Sequence, residues 1–351
     1  IELADVSAPQ VTTNIHHLVI APGITEVDVL AGPQAFFLGG DAGGVVNIRS
    51  AAPKQGYGLD VTAEGGSDSH MLLSALGSAA SDNAGLIING QKWRTAGFNA
   101  REDDIALNDQ DGYDNVTLHA RGYWQPTENS VVDVVVRDVD ATTDFDNCGF
   151  PRSDDCVEEY RQKSVRLGAV IDGERFNHRV SASLSEVKRN NFAADTFSFG
   201  AEGDLNKYEY SLNGTAQNWD FSGGVELREE EINERERDQW GAFAETAVVL
   251  SNGVSAGIGL RFDDNDDFGQ HATGRAHVSW LTQLNPSQSL RIRTSYGTGF
   301  RAPSLSEEAY NAGPFAAAPA STTDLREEKS KGIDIGVALQ APSYSAAITY
   351  F

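Results

Sequence analysis

From residue 57 onward, apolar residues recur at every second position. In "GVSAGIGLRF", Val254, Ala256, Ile258, Leu260 and Phe262 share one face, against Ser255, Gly257, Gly259 and Arg261. "NHRVSASLSEV" sets Val180, Ala182 and Leu184 opposite Arg179, Ser181 and Ser183. "LRIRTSY" and "GIDIGVALQ" repeat the pattern. Side chains alternate between faces only along a β-strand, so a period of two fixes strands, and no helical stripe interrupts it.

The pattern predicts about 15 strands over residues 57–351, many near the roughly ten-residue length of a bilayer-crossing strand. Short connections at 126–129, 172–174, 251–253, 285–287 and 341–343 take turns with long ones at 94–112, 140–160, 188–204, 263–270 and 298–328. Outer-membrane barrels place short turns on one side and long loops on the other, whereas a soluble sandwich has no reason to alternate loop length. The expected class is therefore all-β, a transmembrane antiparallel β-barrel with a polar, glycine- and arginine-bearing lumen. No run approaches the roughly 18 apolar residues of a membrane helix, and "IELADVSAPQ" lacks the basic region and apolar core of a signal peptide.

A net charge of −24 argues against nucleic acid, which requires clustered Lys and Arg. Much of the acid gathers in predicted loops: Asp103, Asp104, Asp109, Asp111 and Asp114 in one, and Asp140, Asp144, Asp146, Asp154, Asp155 and Glu158 in another. Cys148 and Cys156 sit close together in the second loop. They suggest a disulfide in an oxidising compartment, since two thiols alone make a poor zinc site. Trp93, Trp124 and Trp240 fall near strand ends, as girdle residues do. The seven histidines show no metal spacing, with His271 the one of interest. "REEEINERERDQW" reads as a solvated hairpin tip. Catalytic motifs such as GxSxG, HExxH and the phosphate loop do not occur, so an enzyme is not expected.

The first 55 residues differ, with two short apolar strands, "EVDVL" and "GVVNI", around "GGDAGG". That turn lacks the lysine of a phosphate loop and reads as a tight turn. Here the chain resembles the TonB-dependent outer-membrane receptors. "EVDVLAGPQAFFLGGDAGGVVNI", with Gly32, Pro33, Gly43, Gly44 and Asn47, is similar to the end of their plug domain, although Ala31 replaces the arginine that usually precedes "GP". "YGTGFRAPSLSEE", with Gly299, Phe300, Arg301 and Pro303, is similar to their mid-barrel loop. Pro303 stops the strand, because it cannot donate to the ladder. Phe300 and Arg301 are expected to anchor a structural turn at the rim rather than touch ligand. Within the family, "RFDDNDDFGQHATGRAHVSW" is similar to the vitamin B12 (cobalamin) receptors through Asp263, Asp264, Asn265, Phe268, Gly269, His271 and Thr273.

The resemblance implies residues 1–55 as the end of a plug and 56–351 as part of a barrel of about 22 strands. The rest of the plug and an energy-coupling box would lie in a longer protein. It implies active import of a scarce nutrient, cobalamin first and a ferric siderophore or haem second; a passive porin or surface adhesin is the competing class. Expected partners are the TonB–ExbB–ExbD complex, a small-molecule nutrient, and outer-membrane lipid and lipopolysaccharide, around a monomer in the outer membrane of a Gram-negative bacterium. No cofactor is required. The acidic loops read first as a solvated, like-charged surface bridged to lipopolysaccharide by bulk divalent ions. The competing reading is a calcium site at Asp140, Asp144, Asp146, Asp154, Asp155 and Glu158, since calcium takes six to eight oxygens from flexible acidic loops and has a precedent in the loops of cobalamin receptors.

Overall fold

A computed structural model describes residues 5–8, 17, 23–31, 44–101, 109–149, 152–250, 252–313 and 316–351. The two predicted N-terminal strands form a small sheet of their own: β1 (Ile24–Ala31) pairs antiparallel with β2 (Gly44–Ser50). Asn47 on β2 donates to the Asp28 carboxylate on β1 at 3.3 Å, and Gly44 opposes Ala31. Gly32, Pro33 and Gly43, with most of the "GGDAGG" turn, lie outside the described residues, as do Asp103 and Asp104.

The remaining strands form one antiparallel sheet of 15, in strict chain order. They are β3 (Gly56–Gly65), β4 (Met71–Ala80), β5 (Ala84–Phe98), β6 (Asp111–Thr127), β7 (Ser130–Phe145), β8 (Cys156–Asp172), β9 (Phe176–Ala193) and β10 (Thr196–Ala216). β11 (Trp219–Ile232), β12 (Arg235–Val249), β13 (Val254–Asn265), β14 (Gly269–Asn285), β15 (Gln288–Arg301), β16 (Glu328–Gln340) and β17 (Ser345–Tyr350) complete it. The count matches the alternation read from the sequence.

The sheet is inside-out compared with a water-soluble protein. Its exposed face carries Leu86, Ile88, Val116, Leu118, Val134, Leu167, Val180, Val225, Ile258 and Leu260. The buried face carries Ser74, Asn89, Gln91, Asn115, Thr117, Arg137, Gln162, Ser164, Glu226, Arg237, Arg261 and Asp263. Water would penalise such a distribution, since apolar area costs about 25 cal/mol per Å² when left wet. A lipid exterior and polar lumen reverse the sign. Trp124, Trp240 and Trp280 are exposed on the apolar face, as a girdle requires. Trp93 is not: its register partner is Asn115, and it packs edge-on against Tyr113 on the inner face.

Two of the expected long connections are strand instead. Within 188–204, β9 and β10 run to a two-residue turn at Ala194 and Asp195, both with positive φ (47° and 59°), as the tight hairpin turn that continues strand twist demands. Within 263–270, only residues 266–268 leave the ladder. In both, the strands continue into a stretch with polar residues on either face, so the alternation that marks a half-apolar strand fades while pairing continues. The charge run 228–240 is a hairpin tip, as expected, but its inward members Glu230 and Arg237 are buried. Gly97 (φ 68°) lets β5 bulge against β6, because a Cβ there would overlap the Asp111 carbonyl oxygen.

The long connection after β15 contains an unexpected helix, α1 (Leu305–Ala312). Ser304 caps it. Its hydroxyl accepts from the Glu307 amide at 3.1 Å, while Glu307 accepts from the Ser304 amide at 2.8 Å. This reciprocal box was legible as Ser304-x-x-Glu307. A single pair of turns is too short to show a stripe.

Candidate functional site

The buried face of β5–β9 forms one wall, and antiparallel register sets its side chains in rows. One row runs Asn89, His119, Arg137, Ser164, Ser185. The next runs Gln91, Thr117, Val139, Gln162, Val187, and the third Trp93, Asn115, Ala141, Tyr160, Arg189. Val139, Ala141, Tyr160 and Val187 make a small apolar core, with Tyr113 packed on it.

Asp5 and His17 are held against this wall. The His17 ring stacks on Tyr160 with centroids 4.2 Å apart, and His17 Nδ1 lies 3.0 Å from the Tyr113 hydroxyl. Arg137 Nη2 donates to the His17 carbonyl at 2.7 Å. Arg189 holds Asp5 at 2.5 Å and Glu158 at 3.3 Å, and its guanidinium lies over the Tyr160 ring. Aromatic stacking and charge-assisted bonds to the barrel fix these two residues.

The opposite wall, on β10–β14, is an ion-pair lattice. Arg261 is fully buried between Glu226 and Asp263; Arg237 pairs with Glu230 at 2.6 Å and Arg275 with Glu245 at 2.7 Å. Lys207 reaches Glu226 at 3.3 Å, and Arg228 reaches Glu230 at 2.7 Å. The helix α1 is latched onto this wall: Arg237 Nη1 donates to the Pro303 carbonyl at 2.6 Å and pairs with Glu308 at 3.2 Å. Burial pushes the Glu308 carboxyl up in spite of Arg237 beside it. Glu307 behaves oppositely: burial acts to raise it, but bonds from Arg301 and the Ser304 amide outweigh that and hold it below the ordinary range.

The sequence motifs find structural places here. Asp263 is buried against Arg261 and Gln239, while Asp264 accepts from Gln270 at 3.2 Å. Asn265 caps the β13–β14 turn, accepting from the amides of Asp267 and Phe268 at 3.1 Å each, and Gly269 supplies a positive φ of 72°. His271 bonds the Phe268 carbonyl at 3.0 Å and stacks on Phe300, 4.2 Å between centroids. Arg301 pairs with Glu307 at 2.9 Å and Glu328 at 2.7 Å, closing both ends of the 302–327 connection; Gly299 lies in the β15–β16 ladder opposite Ser330. Phe300 and Arg301 thus both make contacts at the end of β15, where the 302–327 connection begins.

Cys148 and Cys156 are joined in a disulfide with Cα atoms 6.1 Å apart. The acidic residues around them are dispersed. Asp140 turns outward to Arg161 at 3.1 Å, Asp154 pairs with Arg101 and Arg152, and Glu158 turns inward to His17 and Arg189. Among the described residues, no group of three or more His, Cys, Asp or Glu side chains is placed to hold a metal ion. Sequence reasoning missed the aromatic seat for His17 and the buried Arg137. The inward parity of Arg137 between outward Val136 and Asp138 was its only signal.

An apolar exterior, a polar interior and strands in strict chain order define the class: a lumen-forming β-barrel of the outer-membrane type, present here as an open 15-stranded sheet. A family profile described as TonB dependent receptor-like, beta-barrel, matches residues 38–351, and the chain belongs to that family. It is 24% identical over 345 residues to the vitamin B12 transporter BtuB of Photobacterium profundum, covering 90% of this chain and 51% of that protein. With BtuB of Vibrio cholerae it shares 25% over 310 residues, covering 81% and 48%. The chain thus spans about half the length of these relatives. In fold it is similar to the siderophore receptor PirA of Acinetobacter baumannii (TM-score 0.76, 16% identity, 93% of this chain and 57% of that one). It is also similar to the copper transporter OprC (TM-score 0.75, 14% identity, 99% and 61%).

Proposed function

We propose that this chain is the lumen-forming part of an active importer in the outer membrane of a Gram-negative bacterium. Residues 1–55 are the end of a plug and 56–351 a portion of the barrel. The observation that carries this reading is the seating of Asp5 and His17 in the inner wall, because a filled lumen suits an importer better than an open, water-filled porin channel. Import then requires force to withdraw that segment, and the TonB–ExbB–ExbD complex is the partner that supplies it. No covalent step is needed. The solute is a scarce nutrient: cobalamin first, on sequence similarity to BtuB, and a ferric siderophore or haem second, on similarity of fold to PirA. The protein works as a monomer surrounded by lipid and lipopolysaccharide. It needs no resident cofactor; calcium binding requires Asp140, Asp144, Asp146, Asp154, Asp155 and Glu158, dispersed in this structure, to converge.

The test is binding of cyanocobalamin to the detergent-solubilised full-length protein, with and without calcium, beside a ferric siderophore. Saturable cobalamin binding strengthened by calcium supports the whole reading. Siderophore binding alone keeps the importer and replaces the nutrient. Binding of neither, with a constitutively open pore in planar bilayers, returns the chain to the porins.

A further inference from the structure

Arg137 is 2% exposed, and its one hydrogen bond is the Nη2 donation to the His17 carbonyl. Its Nε and Nη1 have no acceptor, and among the described residues no carboxylate lies within ion-pair distance of it. A guanidinium buried this way is costly, because burial removes its water and nothing replaces the charge compensation. A carbonyl alone could have been held by a neutral amide.

Arg137 is not isolated. Both ring nitrogens of His119, directly opposite it on β6, are buried without partners. So is Gln162 Nε2, one strand over and one row higher, and Asn115 Nδ2 in the row above that. The Asn115 amide is oriented, because its Oδ1 accepts from Thr117 at 2.9 Å, leaving the NH₂ end unfilled. Neutral imidazole offers one N–H, and each amide and the guanidinium offer more. The unfilled groups therefore form a track of donors up the inner wall, with one fixed positive charge and no carboxylate among them. One ring nitrogen of neutral His119 is an acceptor; the other unfilled groups are donors, and that surplus suits a solute rich in acceptors.

We propose that the β6–β8 wall binds an oxyanion, with Arg137 holding it through its fork and His119, Gln162 and Asn115 completing the shell. The chemistry is that of a carboxylate or a phosphate ester carried by the imported solute. The planar fork of arginine fits either one with two parallel bonds. In this structure the His17 carbonyl takes one of the Arg137 donors. This deepens the import reading and rests on it.

The experiment titrates the detergent-solubilised full-length protein calorimetrically with inorganic phosphate and, separately, with acetate. The wild type is compared with Arg137→Gln, His119→Leu and the outward-facing control Arg161→Gln. Saturable phosphate binding, weakened about tenfold or more by Arg137→Gln, several-fold by His119→Leu and not at all by Arg161→Gln, supports the site. Stronger binding of acetate than phosphate assigns it to carboxylates, and the reverse to phosphate esters. Absence of binding by the wild type to either anion, or equal binding by Arg137→Gln, overturns it. Cobalamin and siderophore uptake by cells bearing the wild type separates the two readings: uptake with no anion binding removes the site and keeps the importer, whereas anion binding with neither uptake does the opposite.

Discussion

Across β10–β14, Arg261, Arg237, Arg275 and Arg228 each face at least one carboxylate of the same wall. Across β6–β8, Arg137 faces none, and the groups around it are neutral donors. Both walls line the same lumen and bury their side chains to a similar degree, so burial alone does not explain the contrast. The paired wall has its charge answered from within and has little to gain from a passing solute. The second wall leaves charge and donors unanswered, and the His17 carbonyl takes one of those donors. Rigidity is therefore built on one side and recognition on the other.

The contrast is broken most forcefully by removing a charge from the paired wall. Arg261→Met leaves Asp263 without its cation and Glu226 with Lys207 alone, and is expected to cost about 3–5 kcal/mol of unfolding free energy, measured by urea unfolding in lipid vesicles. A loss under about 1 kcal/mol would mean that the lattice is wetter than its burial implies. Next in size is the rim above the other wall. Replacing Cys148 and Cys156 together by serine should cost about 2–3 kcal/mol, the cross-link entropy of so short a loop, read by the same unfolding experiment against the oxidised wild type, with the reduced wild type matching the variant.

Arg137→Met sharpens the comparison by its sign. A buried cation without a carboxylate should be replaceable by an apolar chain of similar length at no cost, or with a gain of about 1 kcal/mol. A loss above about 2 kcal/mol would show that Arg137 supports the fold as Arg261 does.

The smallest effect concerns the lid on the paired wall. Ser304→Ala should cost about 1 kcal/mol of local stability in 302–327, seen as faster amide exchange there. Because the Glu307 carboxyl is held below its ordinary value of 4.5, its contribution is complete above that pH and disappears as pH falls through the depressed value. Exchange protection of α1, corrected for intrinsic rates, should therefore drop on acidification, and Glu307→Gln should flatten that dependence. Glu308, pushed up by burial, runs the other way and weakens the lid as pH rises through its own value. The glutamine variant isolates the two.

Much of this architecture was legible from period-two alternation, because a lipid-facing strand must show it: Ile258 and Leu260 point out and Arg261 points in, as read. Legibility failed where lipid ends. Past Leu184, β9 continues through Glu186 and Lys188 with polar residues on its outward face, so the sequence looks like loop while the ladder persists. The Cys148–Cys156 disulfide was readable because close spacing in a loop is local. The unpaired state of Arg137 was not, since it depends on what three neighbouring strands fail to present. The same holds for Trp93, whose face is set by register with Asn115 rather than by its distance from a strand end.

Strict chain order in the sheet has a kinetic meaning. Each strand pairs with those before and after it, so a growing sheet always presents the next strand with its partner one turn away. Low sequence separation of contacts favours fast assembly. The step from β15 to β16, across 302–327, is the longest. Relative to a two-residue turn, its closure costs about 2 kcal/mol more in chain entropy. The capped helix and the Arg301 bridge from Glu307 to Glu328 shorten that free stretch before the strands meet. Assembly of this half of the barrel should therefore pause at one place, and the residues that latch the rim also set how long the pause lasts.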